Sequence, residues 1–356
     1  MPPVPRKPVP VVVLAGFLGS GKTTLLNHLL RQSRGTRIGV VVNDFGSIEI
    51  DAMTVAGQVD SMVSLGNGCL CCAVDTSELD DYLGRLSRPD LRIDVIVIEA
   101  SGLAEPQELI RMILASENPH IVYGGLVQVV DAAEFEATRA RHPQIDRHLA
   151  MADLVVLNKA DRAGDGARGR IQAVIAESAG GVPVVSAVHG QVDPELLIDR
   201  KPAGERIGQL SFDDVRAADE AEGDGHRTGH GRHLHADYQS VGFVSPEPMN
   251  PRRFMEFLDD RPDGLYRIKG FVHFAVEGHR EKYALHAVGN FLRFQPADRS
   301  HDGKPLTQLV LIGSGIDSDA LRKRLDDCLE PRPEAPPESL WGVLRYVAGL
   351  SDEDPV

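Results

Sequence analysis

Runs of consecutive apolar residues recur through the first part of the chain, at 9–15, 38–43, 62–65, 93–98, 126–130, 154–157 and 182–186. Apolar runs without alternation belong to strands buried on both faces. Between most of them lie stretches whose apolar residues fall three or four apart, as at 22–32, 77–86 and 168–177, and this spacing predicts helices. Strands and helices in alternation predict an α/β domain over residues 1–205, a doubly wound and mainly parallel sheet covered on both faces.

The pattern then breaks. Residues 206–236 are rich in Asp, Glu, Gly and His with few apolar positions, and read as a linker without a core. A second set of elements follows over 237–330: strands at 240–244, 266–275, 282–288, 291–294 and 308–312, and helices at 251–260 and 318–329. Clustered strands with helices at intervals predict a smaller α+β domain. The tail, 331–356, is rich in Pro and acids and is expected to be loosely ordered.

Composition narrows the functions open to such a chain. At 356 residues and 42% hydrophobic it can bury two cores. The formal charge of −14 argues against a general nucleic-acid binder and is compatible with metal cations as partners. No apolar run reaches the ~18 residues of a membrane span. The Pro-rich start leads into a Gly-rich loop instead of a cleavage site, so the expected location is the cytoplasm. Of four cysteines, Cys69, Cys71 and Cys72 are clustered and Cys328 is remote, which reads as metal or redox chemistry instead of a disulfide framework.

The sequence GFLGSGKT at 16–23 fits the phosphate loop G-x-x-x-x-G-K-[ST] and falls between a predicted strand and a predicted helix. This makes the first domain a P-loop NTPase. Glycines let the loop curl so that its N–H groups and the helix N-terminus face phosphates. Lys22 would reach the β- and γ-phosphates, and Thr23 would place its hydroxyl on Mg²⁺. Asn158, Lys159 and Asp161, from NKAD at 158–161, follow another strand. A carboxylate there accepts both the ring N–H and the exocyclic amine of guanine, whereas adenine presents the opposite pattern. Ser186 and Ala187, after the next strand, stand where a base-stacking turn belongs. Together these favour GTP and GDP over adenine nucleotides.

Glu99 ends an apolar strand and can meet Mg²⁺ or its water shell, while Gly102 can offer its N–H to the γ-phosphate. The alternative for Glu99 is a strand-end acid capping the next helix. Asp44 and Glu99 are the candidates for orienting the attacking water, and neither is singled out.

Cys69, Cys71 and Cys72 nearly complete a tetrahedral soft-metal site. In an extended segment Cys69 and Cys71 share a side, and Cys72 needs a turn to join them. Buried apolar cysteines and a redox switch are the alternatives. His226, His230, His233 and His235 in the acidic linker suit Zn²⁺, Ni²⁺ or Co²⁺ weakly, or are merely solvated.

GFLGSGKTT, NDFG, GCLCC, EASGLAEP and NKAD occur in this order ahead of a His-bearing linker. On these residues the chain resembles the CobW-type metallochaperone GTPases, relatives of the urease and hydrogenase maturation GTPases. Gly289 and the run at 306–313 resemble that family's C-terminal domain. The resemblance implies a slow GTPase that delivers Zn²⁺ or Co²⁺ to a client metalloprotein or a cobalamin pathway. It implies that Gly16, Gly19, Ser20, Gly21, Lys22, Thr23 and Thr24 bind phosphates and that Asn158, Lys159 and Asp161 bind guanine. Cys69, Cys71 and Cys72 would hold the metal, and Glu99 would serve the Mg²⁺ region. The C-terminal domain is the natural docking surface for a client, and a homodimer is left open. The chain departs from the family at 43–47, where Asn43-Asp44-Phe45-Gly46-Ser47 stands for Asn-Glu-Phe-Gly-Glu. That removes an acid at Ser47 and shortens the one at Asp44. The competing functions are a metal store built on the His linker and a regulatory GTPase whose cysteines sense oxidation.

Overall fold

The computed structural model describes residues 7–33, 35–42, 61–64, 76–102, 104–198, 238–276, 282–297, 306–330 and 335–347. The chain divides into two compact units, Met1–Lys201 and Pro202–Val356.

The first unit is built on a seven-stranded parallel sheet of β1 (Val9–Ala15), β2 (Ile38–Val42), β3 (Ser61–Ser64), β4 (Val95–Glu99), β5 (Ile121–Asp131), β6 (Leu154–Asn158) and β7 (Val184–Ser186). Its order is β3-β2-β4-β1-β5-β6-β7. The apolar runs are these strands: β2, β4 and β6 are buried at every position, as a sheet covered on both faces requires. β1 lies at the centre, with Leu14 beside Glu99 of β4 and Ala15 beside Gln128 of β5. The chain leaves β1 toward one side of the sheet and later returns to its other side. The resulting crevice, at the carboxyl end of β1, is where ligands of such sheets bind.

β5 is longer than the expected 126–130. The added residues include Gly124 and Gly125, which absorb a register shift between Val11 and Val12 of β1. Gly125 has φ 111°, and a Cβ on Gly124 would lie 3.0 Å from the Val11 carbonyl. The helices are α1 (Lys22–Arg31), α2 (Thr76–Leu86), α3 (Pro106–Ala115), α4 (Phe135–Arg141), α5 (Gln144–Ala150) and α6 (Asp165–Ala179). α1 buries Leu25, Leu26, Leu29 and Leu30, its apolar stripe. α3 begins on Pro106, whose missing N–H costs nothing in a first turn, and α6 stops at Gly180 in the left-handed conformation.

The second unit is a five-stranded antiparallel sheet, β8 (Gln239–Ser245), β9 (Leu265–His273), β10 (Lys282–Val288), β11 (Phe291–Ala297) and β12 (Thr307–Gly313), in the order β11-β10-β9-β12-β8. Two helices, α7 (Pro251–Asp259) and α8 (Ser318–Asp326), bring Phe254, Leu258, Leu321 and Leu325 into its core. Rings dominate that core: Phe274 lies 5.9 Å from Tyr283 and 6.2 Å from Phe294 between centroids. Asn250 caps α7, its side chain accepting from the N–H groups of Arg252 and Arg253.

The tail departs from expectation. After the 3₁₀ turn Pro337–Leu340, helix α9 (Trp341–Leu344) follows, and Leu340, Val343 and Val347 are buried in the core of this unit. The Phe294 N–H donates to the Tyr346 carbonyl at 2.8 Å, so this segment also covers the edge strand β11. Composition suggested loose order, but the apolar spacing at 340, 343 and 347 is helical, and packing decides.

Candidate nucleotide site

The chain turns sharply after Ala15, and α1 begins at Lys22. Gly21, the residue before the helix, has φ 101°, and a Cβ there would run into the side-chain amide of Asn158. The Phe17 carbonyl accepts the Ser20 N–H at 3.1 Å, closing the loop under the helix N-terminus. Lys22 is buried and its Nζ donates to the Gly16 carbonyl at 3.0 Å, folded back over the loop it serves. Thr23 Oγ1 donates to Glu99 Oε1 at 2.6 Å, and Glu99 is only 3% exposed. The sheet register sets this contact, because Leu14, just ahead of the loop, pairs with Glu99.

On the other side of β1, Asn158 ends β6 fully buried. Its Nδ2 donates to the Ser20 carbonyl at 2.9 Å, and its Oδ1 accepts the Gly190 N–H at 2.9 Å. One side chain therefore ties the phosphate loop to the turn after β7. Gly190 sits so tightly that a Cβ would come 2.7 Å from the Leu25 nitrogen. Lys159, at φ 56°, donates through Nζ to the Gly19 carbonyl at 2.7 Å and forms an ion pair with Asp131 at 2.6 Å. Asp161 lies exposed in the 3₁₀ turn Ala160–Arg162. Ala187 is buried with both backbone groups committed, its N–H to the Leu157 carbonyl and its carbonyl to the Ala160 N–H. Val188, 38% exposed, is the next side chain of that turn. Gly102 abuts the loop, since a Cβ there would lie 2.8 Å from the Leu18 nitrogen.

Gly16, Gly19, Ser20, Gly21, Lys22, Thr23, Glu99, Gly102, Asn158 and Lys159 thus converge on one place. Sequence reading missed Asp131 and Gly190. Asp131 had a signal, an acid at the end of a buried strand, the same as that of Glu99. Gly190 had none apart from a glycine in a turn. Asp44, Cys69, Cys71, Cys72, His226, His230, His233 and His235 lie outside the described residues. Among the described residues no three His, Cys, Asp or Glu gather as a metal site, and no helix is long and apolar enough to cross a membrane.

A parallel sheet with a phosphate loop after its central strand, and an Asn-Lys-x-Asp turn two strands away, defines a P-loop nucleotide-binding fold. Residues 10–186 match the model of the CobW/HypB/UreG nucleotide-binding domain, and 238–329 match the cobalamin synthesis protein cobW C-terminal domain. The chain is 32% identical to the zinc chaperone CobW of Pseudomonas aeruginosa, over 90% of this chain and 92% of that protein. It is 31% identical to the zinc chaperone YjiA of Escherichia coli over 54% of this chain and 61% of that one. It is 33% identical to the zinc-regulated GTPase metalloprotein activator 1 of Saccharomyces cerevisiae over 44% of this chain and 42% of that one. The chain belongs to the CobW/HypB/UreG family.

Proposed function

We propose that this protein is a GTPase of the CobW type that carries zinc on its cysteine cluster and uses the nucleotide cycle to hand it to a client protein. The observation that carries the nucleotide half is the double hydrogen bond of Asn158, which joins the phosphate loop to the turn after β7. Phosphates enter beneath the N-terminus of α1, and Lys22 exchanges its loop carbonyl for phosphate oxygens. Asp161, exposed at the end of β6, accepts the ring N–H and amine of guanine. Ala187 staples this turn to β6, and Val188 is the side chain left to meet the base.

Thr23 Oγ1 and Glu99 Oε1, 2.6 Å apart at the phosphate loop, are hard oxygen donors that fit Mg²⁺. When bound, that ion neutralises phosphate charge. The protein's own part is to hold Thr23 and Glu99 in register through the β1–β4 pairing.

The metal half rests on the chemistry of Cys69, Cys71 and Cys72, three thiols that as thiolates suit zinc, and on relatives named as zinc chaperones. Cobalt satisfies the same ligands, with a cobalamin pathway as recipient, and the zinc-chaperone relatives favour zinc. Delivery through the C-terminal unit is the corresponding reading for the client.

The test is a competitive zinc titration with GDP or a non-hydrolysable GTP analogue, on the wild type and on Cys71→Ser. Coupling predicts at least about tenfold different zinc affinity between the two nucleotide states, lost in the variant. Equal affinity in both states returns the metal-store reading, and deletion of 226–235 then removes most of the metal bound.

A further inference from the structure

The parallel pairing of β5 with β6 sets Asp131 beside Asn158, and the chain turns out of β6 at Lys159. Lys159 holds a left-handed backbone, φ 56°, which is unfavourable for any residue with a Cβ. Two acceptors meet its ammonium: the Gly19 carbonyl at 2.7 Å and Asp131 Oδ2 at 2.6 Å. Asp131 is itself fixed, because its Oδ1 accepts the Ala133 N–H at 2.9 Å. Only 15% of the Asp131 side chain and 27% of the Lys159 side chain are exposed, so the pair is partly shielded from water. Next to the Gly19 carbonyl is that of Ser20, which Asn158 holds. Two consecutive residues at the end of β6 thus grip two consecutive carbonyls of the phosphate loop. The Lys159 grip is the one backed by a carboxylate.

We propose that Asp131 is a positioning residue of the guanine-nucleotide site, a latch that slows nucleotide release by acting through Lys159. This rests on the reading of the protein as a GTPase. The carboxylate keeps a long, flexible side chain aimed at the phosphate loop instead of at solvent. With the lysine held, the Gly19–Ser20 stretch keeps one conformation, and a bound nucleotide does not have to order it. Asp161 reads the base edge, and Asp131 sets how long the nucleotide stays. An acid at the end of β5 thereby serves one flank of the loop, as Glu99 at the end of β4 serves Thr23 on the other.

The experiment follows release of fluorescently labelled GDP by stopped flow, and competition by unlabelled GDP and IDP. It compares wild type, Asp131→Asn, Lys159→Met and the double variant. Asparagine keeps the Oδ1 acceptor for the Ala133 N–H and removes the charge. Its GDP release is faster by about 10-fold, the low end for a charged hydrogen bond because the pair is partly exposed. Association changes by less than about twofold. GDP and IDP, which lacks the exocyclic amine, weaken by the same factor. In the Lys159→Met background the Asp131→Asn change alters release by less than about twofold, since the group it acts through is gone. Unchanged release in Asp131→Asn overturns the proposal. So does an equal effect with and without Lys159, which marks a structural role. A larger loss for GDP than for IDP also overturns it and assigns Asp131 to the base edge. A wild-type protein that binds no guanine nucleotide overturns the GTPase reading as well.

Discussion

The two units place their polar groups in opposite ways. In the first, all strands run in one direction, so their last residues share one edge. Glu99, Asp131, Asn158 and Ser186 end β4, β5, β6 and β7, and the phosphate loop follows β1. In the second, neighbouring strands are antiparallel and their ends alternate between edges, and the five strands contain no Asp or Glu. Its interior is a cluster of rings. A parallel sheet concentrates chemistry by geometry alone, whereas an antiparallel one spreads its ends and is better used as a packed scaffold.

This contrast breaks if damage to one unit appears in the other's readout. The largest effect is expected from Phe294→Ala, which empties a fully buried site among Phe274 and Tyr283 and costs about 3–5 kcal/mol. Calorimetry should show one transition moving to lower temperature while nucleotide affinity, read by fluorescence, stays put. Next comes Gly21→Ala, where a left-handed φ of 101° and the Asn158 amide both oppose a Cβ. Strain of about 3 kcal/mol corresponds to roughly 100-fold weaker GDP binding. Unchanged affinity would show that the loop has another conformation open to it.

A third prediction concerns Cys328, whose thiol donates to the Arg324 carbonyl at 3.2 Å and is buried beneath α8. Burial is the largest cause raising its pKa from 9.0 to about 11, with Asp327 adding to it. The folded state holds the neutral thiol, so this group's contribution is fully present below pH 9 and is lost as pH rises through about 11. Full loss amounts to about 2–3 kcal/mol. Urea unfolding of wild type and Cys328→Ala at pH 8 and pH 11 measures it, and a parallel pH dependence in both proteins refutes it. The smallest effect is expected from Asn250→Ala, which removes the cap of α7 and costs about 1 kcal/mol, seen as a small shift of the urea midpoint.

Most of the first unit was legible because buried parallel strands are continuous apolar runs and the phosphate loop carries its own spacing. The roles proposed for Lys22 and Asn158 come from their motifs, and the structure adds what holds the two side chains. Gly190 was illegible. Its significance comes from a tight backbone approach to Leu25, which is not a property of local sequence. The early start of β5, across Gly124 and Gly125, was missed for a related reason: glycine marks a turn or a bulge, and only the partner strand decides which. The tail misled because composition outweighed the spacing of three apolar residues.

That tail has a consequence for how the protein is made. A ribosome adds Leu340, Val343 and Val347 only after β8 through α8. Until then the ring-filled core has an uncovered side, and β11 has an open edge of the kind that pairs with other nascent chains. The segment 335–347 is therefore the stopper, and a chain stalled or cleaved before Pro336 is a substrate for holding chaperones.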